Sequence, residues 1–215
     1  PVLCRGTLIA GGIPYFVNLK EENRFLIDLS EIPTEIAQKA KMFFINYPNN
    51  PTGAVAPKSF LRDVVNFCRE YNILLISDLA YGEVCFSNYR PYSIFNIEGA
   101  KDIAIEFHSF TKTFNMAGWR CGFAVGKEEF ISTLYAMKSN IDYGTSTIVQ
   151  DACIAALTMD DKYVKGIMDK YGIIEIKPKK DVDENKKEIK EEDKFDIETQ
   201  KDEDEDEEDQ YLENW

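Results

Sequence analysis

The sequence predicts an α/β fold built on a largely parallel sheet. Three observations lead to this expectation. Short, continuously apolar segments, suited to strands buried on both faces, alternate with longer segments of helical periodicity. Turn sequences rich in Gly, Pro and Asn separate many of these segments. Distinctive polar residues follow directly after the apolar segments, and a parallel sheet would gather them at the carboxyl ends of its strands.

The first half of the pattern runs from a glycine pair to a helix. The segment Ile13–Leu19 follows Gly11 and Gly12 and is a candidate short strand, and residues 31–41 have helical periodicity. Residues 42–46 (MFFIN) predict the first buried strand. The sequence YPNNPTG at 47–53 predicts a tight turn, and a helix with an apolar face follows from Pro57.

The second half repeats the alternation of strand and helix. Residues 73–77 (ILLIS), 103–107 (IAIEF) and 119–125 (WRCGFAV) predict three further strands. Helical periodicity then covers 127–138 and about 146–158. Because strands alternate with helices, we expect a sheet with helices packed on its faces.

Charge divides the chain into two parts. Residues 175–215 carry 19 acidic residues and 8 lysines, which is −11 of the formal net charge of −13, and residues 1–174 carry −2. Residues 202–209 are all Asp or Glu. Such a composition buries too little apolar surface to offset the entropy of ordering. We therefore divide the chain into a globular part, 1–170, and an acidic tail, 171–215, that we expect to be disordered and solvated rather than bound to basic partners.

Composition also excludes several classes of function. The acidic balance disfavours nucleic-acid binding, and no run of about 18 apolar residues predicts a membrane span. A single histidine, His108, and the absence of metal-ligand spacing predict no metal site and no Ser-His-Asp triad. Pro1 is not an initiating methionine, so a targeting segment could lie upstream. Scattered cysteines indicate reduced thiols and a cytoplasmic location; they are Cys4, Cys68, Cys85, Cys121 and Cys153.

Three motifs carry residues with chemistry: YPNNPTGA at 47–54, SDLAYGE at 77–83 and HSFTKTFNMAGWRCGFAVG at 108–126. Each residue alone has an ordinary interpretation. Asp78 could cap a helix, Lys112 could be a surface lysine, and Tyr81 could fill the core. Their fixed order and spacing is the distinctive feature.

Together the motifs resemble the class I and II aminotransferases, the fold-type I enzymes that use pyridoxal 5′-phosphate (PLP). The resemblance covers residues 1 to about 157. It implies that residues 1–170 form an incomplete PLP-transferase large domain. The stretches at 6–29, 43–55 and 138–144 look most like LL-diaminopimelate aminotransferases and their aspartate-aminotransferase-like neighbours. Tyr143 departs from that branch, in which a small residue is expected.

The resemblance implies roles for six residues in binding PLP. Lys112 would form a Schiff base with the cofactor and then act as general acid and base. Asp78 would keep the pyridine nitrogen protonated, because a carboxylate beside it stabilises the charged form. The others are Asn50 and Tyr81, as donors to the phenolic oxygen of the ring, and Ser109 and Arg120, as phosphate ligands.

The resulting functional prediction is transamination between an amino acid, either LL-diaminopimelate or aspartate, and 2-oxoglutarate, by a homodimer with no nucleic-acid or membrane partner. The family's phosphate loop, its stacking aromatic and the arginine that binds the substrate carboxylate have no recognisable counterpart. Three alternatives therefore stay open. They are another PLP reaction on the same scaffold, such as a carbon–sulfur lyase or decarboxylase; an inactive fragment or non-catalytic interaction protein; and a regulator with an upstream helix-turn-helix. His108 is interpreted as structural.

Overall fold

Four strands of the described chain form one mixed sheet, in the spatial order β1, β2, β3, β4. The structure, a computed structural model, describes residues 2–84 and 90–170. The first three strands are parallel, and β4 runs antiparallel to β3. The prediction of an α/β fold with a mostly parallel sheet is thus confirmed. The strands are β1 (Met42–Asn46), β2 (Leu74–Asp78), β3 (Ala104–Ser109) and β4 (Gly122–Gly126).

Seven α-helices lie among the described residues, and three of them (α1, α4 and α7) were not expected from periodicity. The predicted acidic tail, 171–215, lies outside the described residues, so the division at 170 stays a prediction. The helices are α1 (Val2–Ile9), α2 (Thr34–Lys39), α3 (Lys58–Glu70), α4 (Phe110–Thr113), α5 (Glu128–Ile141), α6 (Thr147–Leu157) and α7 (Asp161–Lys170).

The main core lies between α3 and one face of the sheet. Helix α3 presents Leu61, Val64, Val65 and Cys68, whose spacing of three and four residues places them on one side of the helix. All four are buried and belong to one cluster with strand residues such as Leu75. Burying each such side chain contributes about 1.5–3 kcal/mol. The same burial raises the pKa of the Cys68 thiol to about 12.

The predicted strand at 13–19 is wrong, because residues 12–20 have no regular secondary structure. Ile13 and Phe16 are 94% and 69% exposed. A strand is stabilised by its pairing partners, and apolar alternation alone does not supply one. The chain is anchored to the sheet further along, where the Tyr47 hydroxyl donates to Phe25 O at 2.9 Å and accepts from Ile27 N at 3.1 Å.

A smaller cluster lies beside the junction of β3 and β4. Phe110 and Met116 pack with Cys153 and Ala156 of α6. This contact holds the segment between β3 and β4 against a helix, which matters because that segment carries two of the predicted site residues. No helix in the described ranges is long and apolar enough to span a bilayer.

Candidate active site

The predicted site residues gather at one edge of the sheet. Strands β1, β2 and β3 all end there, with Asn46 beside Asp78 and Asp78 beside Phe107. Antiparallel β4 begins at the same edge, where Gly122 pairs with Ser109. A mostly parallel sheet presents such an edge as its usual ligand-binding face.

The turn after β1 holds Asn50 through two other asparagines. The Asn46 side chain donates to Asp78 O at 3.1 Å and accepts from Asn50 N at 3.2 Å. Asn49 accepts from the Thr52 hydroxyl at 2.8 Å, and its backbone N–H donates to Ala54 O at 2.8 Å. Gly53 has φ +68°, a conformation that glycine adopts without steric cost. The turn is therefore fixed both internally and against β2.

Asn50, Tyr81 and Lys112 come together from three separate segments. Asn50 Nδ2 donates to the Tyr81 hydroxyl at 3.0 Å. Lys112 Nζ lies 5.4 Å from the centroid of the Tyr81 ring, over its face. Tyr81 and Lys112 are half-buried and Asn50 is exposed. Among residues 2–84 and 90–170, Lys112 makes no ion pair, so its amine is not committed to a carboxylate there.

Asp78 occupies the last position of β2, next to this group. Its Oδ1 accepts from Ala80 N at 3.1 Å, which turns the chain sharply after the strand. Its backbone carbonyl accepts from Asn46, and Leu79 N donates to Phe107 O at 2.9 Å. The carboxylate is thus held at the strand end and half-buried. A carboxylate fixed in this way can face a cationic or protonated ring nitrogen.

Ser109 and Arg120 lie at the junction of β3 and β4. Ser109 ends β3 and α4, which carries Lys112, begins at the next residue. Phe110 N donates to Cys121 O at 3.2 Å, which holds the two segments side by side. Arg120 is exposed, has φ +50°, and its Nη1 donates to Ala117 O at 3.2 Å. The structure therefore brings the backbones of Ser109 and Arg120 together, while the guanidinium contacts Ala117.

Sequence reasoning missed Asn46 and Asn49. Neither is expected to touch a ligand, but both determine where Asn50 lies. The available signal was position: Asn46 ends a predicted strand, and its side chain reaches the neighbouring strand of a parallel sheet. Asn49 precedes Asn50 in a turn that needs side-chain acceptors.

Comparison with known proteins identifies the family. The family model for aminotransferase class I and II matches residues 5–195. The chain belongs to the class I and II aminotransferases. It is 49% identical over 171 residues to LL-diaminopimelate aminotransferase 2 of Trichormus variabilis, and 50% identical to the LL-diaminopimelate aminotransferase of Desulforudis audaxviator. Both alignments cover 80% of this chain and 44% of the relative.

Solved aminotransferase structures share the fold. Substrate-bound BacF from Bacillus subtilis matches with a TM-score of 0.75 and 40% identity over 80% of this chain and 44% of that one. The aromatic aminotransferase of Pyrococcus horikoshii matches with a TM-score of 0.71 and 31% identity, over 77% and 45% of the two chains. The family resemblance that the motifs predicted is confirmed, and this aminotransferase chain spans about 44% of the length of its relatives.

Aminotransferases of this family use PLP, and the donor set at the strand edge fits that cofactor. An amine, a carboxylate and a hydrogen-bonded Asn–Tyr pair are the groups that a pyridine aldehyde with a phenolic oxygen requires. Asn50 and Lys112 both contact Tyr81, through a hydrogen bond and over the ring face respectively. Asp78 is held at the adjoining strand end.

Proposed function

We propose that this chain carries the PLP-binding residues of an enzyme that transfers an amino group from an amino acid to a 2-oxo acid. The observation that carries the proposal is the convergence of Asn50, Tyr81 and Lys112 at the end of a parallel sheet, beside Asp78. These residues come from three distant stretches of sequence. Family membership supports the reaction type.

Lys112 is proposed as the covalent anchor of the cofactor. Its amine is half-buried on α4, one turn beyond Ser109, and makes no ion pair with any described residue. An amine that is not held by a carboxylate is available to bond to the aldehyde of the cofactor. Once released from the cofactor, Nζ can accept a proton from the substrate α-carbon and return it to another carbon.

The cofactor, when bound, supplies the electron sink. Asp78, Asn50 and Tyr81 are proposed to set the protonation and charge of its ring. Asp78 would hold a proton on the ring nitrogen through a charge-assisted hydrogen bond. Asn50 and Tyr81 already share a hydrogen bond of 3.0 Å, so a phenolate placed beside them would find oriented donors. Ser109 and Arg120 would hold the phosphate from the β3–β4 junction, with the Arg120 side chain turning away from Ala117.

For the substrate, we propose LL-diaminopimelate as amino donor and 2-oxoglutarate as acceptor. Relatives bearing the name LL-diaminopimelate aminotransferase, at 49–50% identity, support this choice over aspartate. The whole enzyme is proposed to act as a homodimer, as the family resemblance implies, and to lie in the cytoplasm, as the scattered cysteines indicate.

The test is an assay of glutamate formation by a protein that joins this chain to the substrate-binding segments of a relative, with PLP, 2-oxoglutarate and each of a panel of amino donors. We expect LL-diaminopimelate to give glutamate and the Lys112→Ala variant to give none. Glutamate formed equally by Lys112→Ala would contradict the role of Lys112. Release of ammonia from sulfur amino acids, without glutamate, would replace transamination by a lyase reaction.

A further inference from the structure

A second polar group lies on the opposite face of the sheet from the candidate active site. Its centre is Glu106 of β3, whose side chain is buried with 2% exposure. Strand residues alternate between the two faces, so Glu106 and His108 point away from the face that carries Asp78 and Ser109. Register agrees: Ser77 pairs with Glu106, and Asp78 pairs with Phe107.

Both carboxylate oxygens of Glu106 accept hydrogen bonds. Oε1 contacts the Ser93 hydroxyl at 2.8 Å and His108 Nε2 at 3.1 Å. Oε2 contacts Ile94 N at 2.7 Å and the Ser77 hydroxyl at 3.4 Å. A buried carboxylate is retained only with such partners, because removing it from water costs several kcal/mol. An apolar residue would fill this space at a lower free-energy cost of burial, so packing alone does not explain why a glutamate lies here.

The hydrogen-bond partners of Glu106 lie at the two ends of one segment of the candidate site. Ser77 immediately precedes Asp78, and Ser93 with Ile94 ends the connection that begins at Asp78 and contains Tyr81. One carboxylate thus holds both ends of the segment that carries two proposed cofactor contacts. Ser93 also caps the short helix Ile94–Asn96, so the far end is held by hydrogen bonds of its own.

His108 extends the same group toward β4. Its ring stacks on Phe123 with centroids 4.6 Å apart and planes 7° apart. Phe123 pairs with His108 across the strands, three residues after Arg120. His108 also directly precedes Ser109. The bond to Glu106 and the stack on Phe123 therefore fix the ring from two sides, next to both proposed phosphate ligands.

We infer that Glu106 and His108 are a positioning pair for the cofactor site, acting through the backbone from the opposite face of the sheet. The inference rests on the proposed function for its ligand, PLP, but the geometry of the pair is independent of it. Neither residue touches the reacting atoms. They set the positions of Asp78, Tyr81 and Ser109.

The first test measures PLP affinity by absorbance titration of the purified chain and of matched variants. Glu106→Gln replaces one carboxylate oxygen by an amide N–H₂, so some of the groups that donate to Glu106 lose their acceptor. We expect this variant to bind PLP about tenfold more weakly. Glu70→Gln removes the same charge from an exposed site on α3 and is the control. His108→Gln keeps an N–H donor for Glu106, while His108→Phe keeps only the stack on Phe123.

We expect His108→Gln to bind PLP within about threefold of the parent chain and His108→Phe to bind about tenfold more weakly. Equal affinity of these two variants would overturn the inference, and so would a folded Glu106→Gln variant with parental affinity. If Glu106→Gln fails to fold, the His108 pair decides the question alone.

The second test needs no cofactor and separates this inference from the proposed function. The Ala80 amide donates to the Asp78 carboxylate, so its hydrogen exchange reports where that carboxylate lies. In the PLP-free chain, His108→Phe is expected to speed Ala80 exchange about tenfold relative to His108→Gln, at equal urea midpoints. Unchanged exchange would overturn the inference. A parent chain that binds no PLP through Lys112, but shows the exchange effect, would overturn only the proposed function.

Discussion

At the scale of single residues, the candidate site is built from side chains that hold one another before any ligand arrives. Asn46 binds both Asn50 and the backbone of Asp78, and Asn50 binds Tyr81. The donors are therefore oriented in advance. Preorganised donors stabilise charge without reorganisation at the moment of reaction. Two predictions belong to this scale.

Removing the Tyr81 hydroxyl is expected to weaken cofactor binding. Tyr81→Phe keeps the ring under Lys112 but deletes the acceptor for Asn50 Nδ2 and a donor to the ligand. We expect PLP affinity to fall about tenfold in an absorbance titration. Tyr92→Phe, at a 42% exposed tyrosine, is the matched control and should bind as the parent chain does. Equal affinity of the two variants would contradict the role of Tyr81.

Tyr47 makes stability depend on pH in the alkaline range. Burial raises the pKa of its phenol from 10.0 to about 12, with the Ile27 N–H acting in the opposite direction. Between pH 10 and 12 the unfolded chain loses this proton and the folded chain retains it. The free energy of unfolding therefore falls as pH rises, by up to about 2.7 kcal/mol from this residue.

Tyr47→Phe tests that dependence. The variant loses two hydrogen bonds and is expected to be less stable at pH 8, but its stability should decline less steeply between pH 10 and 12. Urea unfolding at several pH values measures both slopes. Cys68 contributes to the decline in both proteins, because its thiol pKa is also raised, to about 12. Identical slopes would show that Tyr47 ionises equally in both states.

At the scale of elements, the close approach of β3 and β4 joins the start of the segment that carries Lys112 to its end at Arg120. A Cβ at Gly122 would lie 2.5 Å from His108 O, a backbone atom that cannot turn aside. Gly118, four residues earlier, has open space around its Cα. The two glycines therefore make a matched pair on either side of Arg120.

Gly122→Ala is expected to lower the free energy of unfolding by about 1–3 kcal/mol, since the strands must separate to admit the methyl group. It should also weaken PLP binding, because Ser109 pairs with Gly122. Gly118→Ala should leave both quantities nearly unchanged. Urea midpoints and PLP titrations measure the effects. A Gly122→Ala variant as stable as the parent chain would contradict the close approach of Gly122 to His108 O.

Sequence patterns predicted the elements that have a continuous apolar run or a helical period, and they missed the elements that have neither signal. The apolar run at 42–46 was predicted as a strand, and these are the observed bounds of β1, although only Ile45 in it is fully buried. Helix α4 has only four residues, Phe110–Thr113, too short to show a helical period. The strand predicted at 13–19 failed because pairing depends on a neighbour that local alternation does not reveal.

The sequence predicted the residues of the candidate site, but it did not predict the residues that hold them in position. The motifs contained the six predicted residues, since their spacing resembles a known family. Glu106 gave no signal, because a glutamate within an apolar strand has no periodicity of its own. Its four hydrogen-bond partners come from three segments, and only the folded chain shows that they meet.

At the scale of the whole molecule, the chain divides by charge at about residue 170. A chain ending at Lys170 is expected to have the same free energy of unfolding as the full chain, to within about 0.5 kcal/mol, because the removed residues bring little apolar surface. Its PLP affinity should be equal as well. A clear loss of stability would show that residues 171–215 contribute to the fold, contrary to the predicted division.

The whole molecule also offers the most direct test of the central claim, that Lys112 is the cofactor anchor. The purified chain is incubated with PLP, reduced with borohydride, digested and analysed by mass spectrometry, beside Lys112→Ala and Lys127→Ala. We predict a single stably modified lysine at 112 in the parent chain and in Lys127→Ala, and none in Lys112→Ala. Modification spread over several surface lysines, or unchanged in Lys112→Ala, would contradict the account.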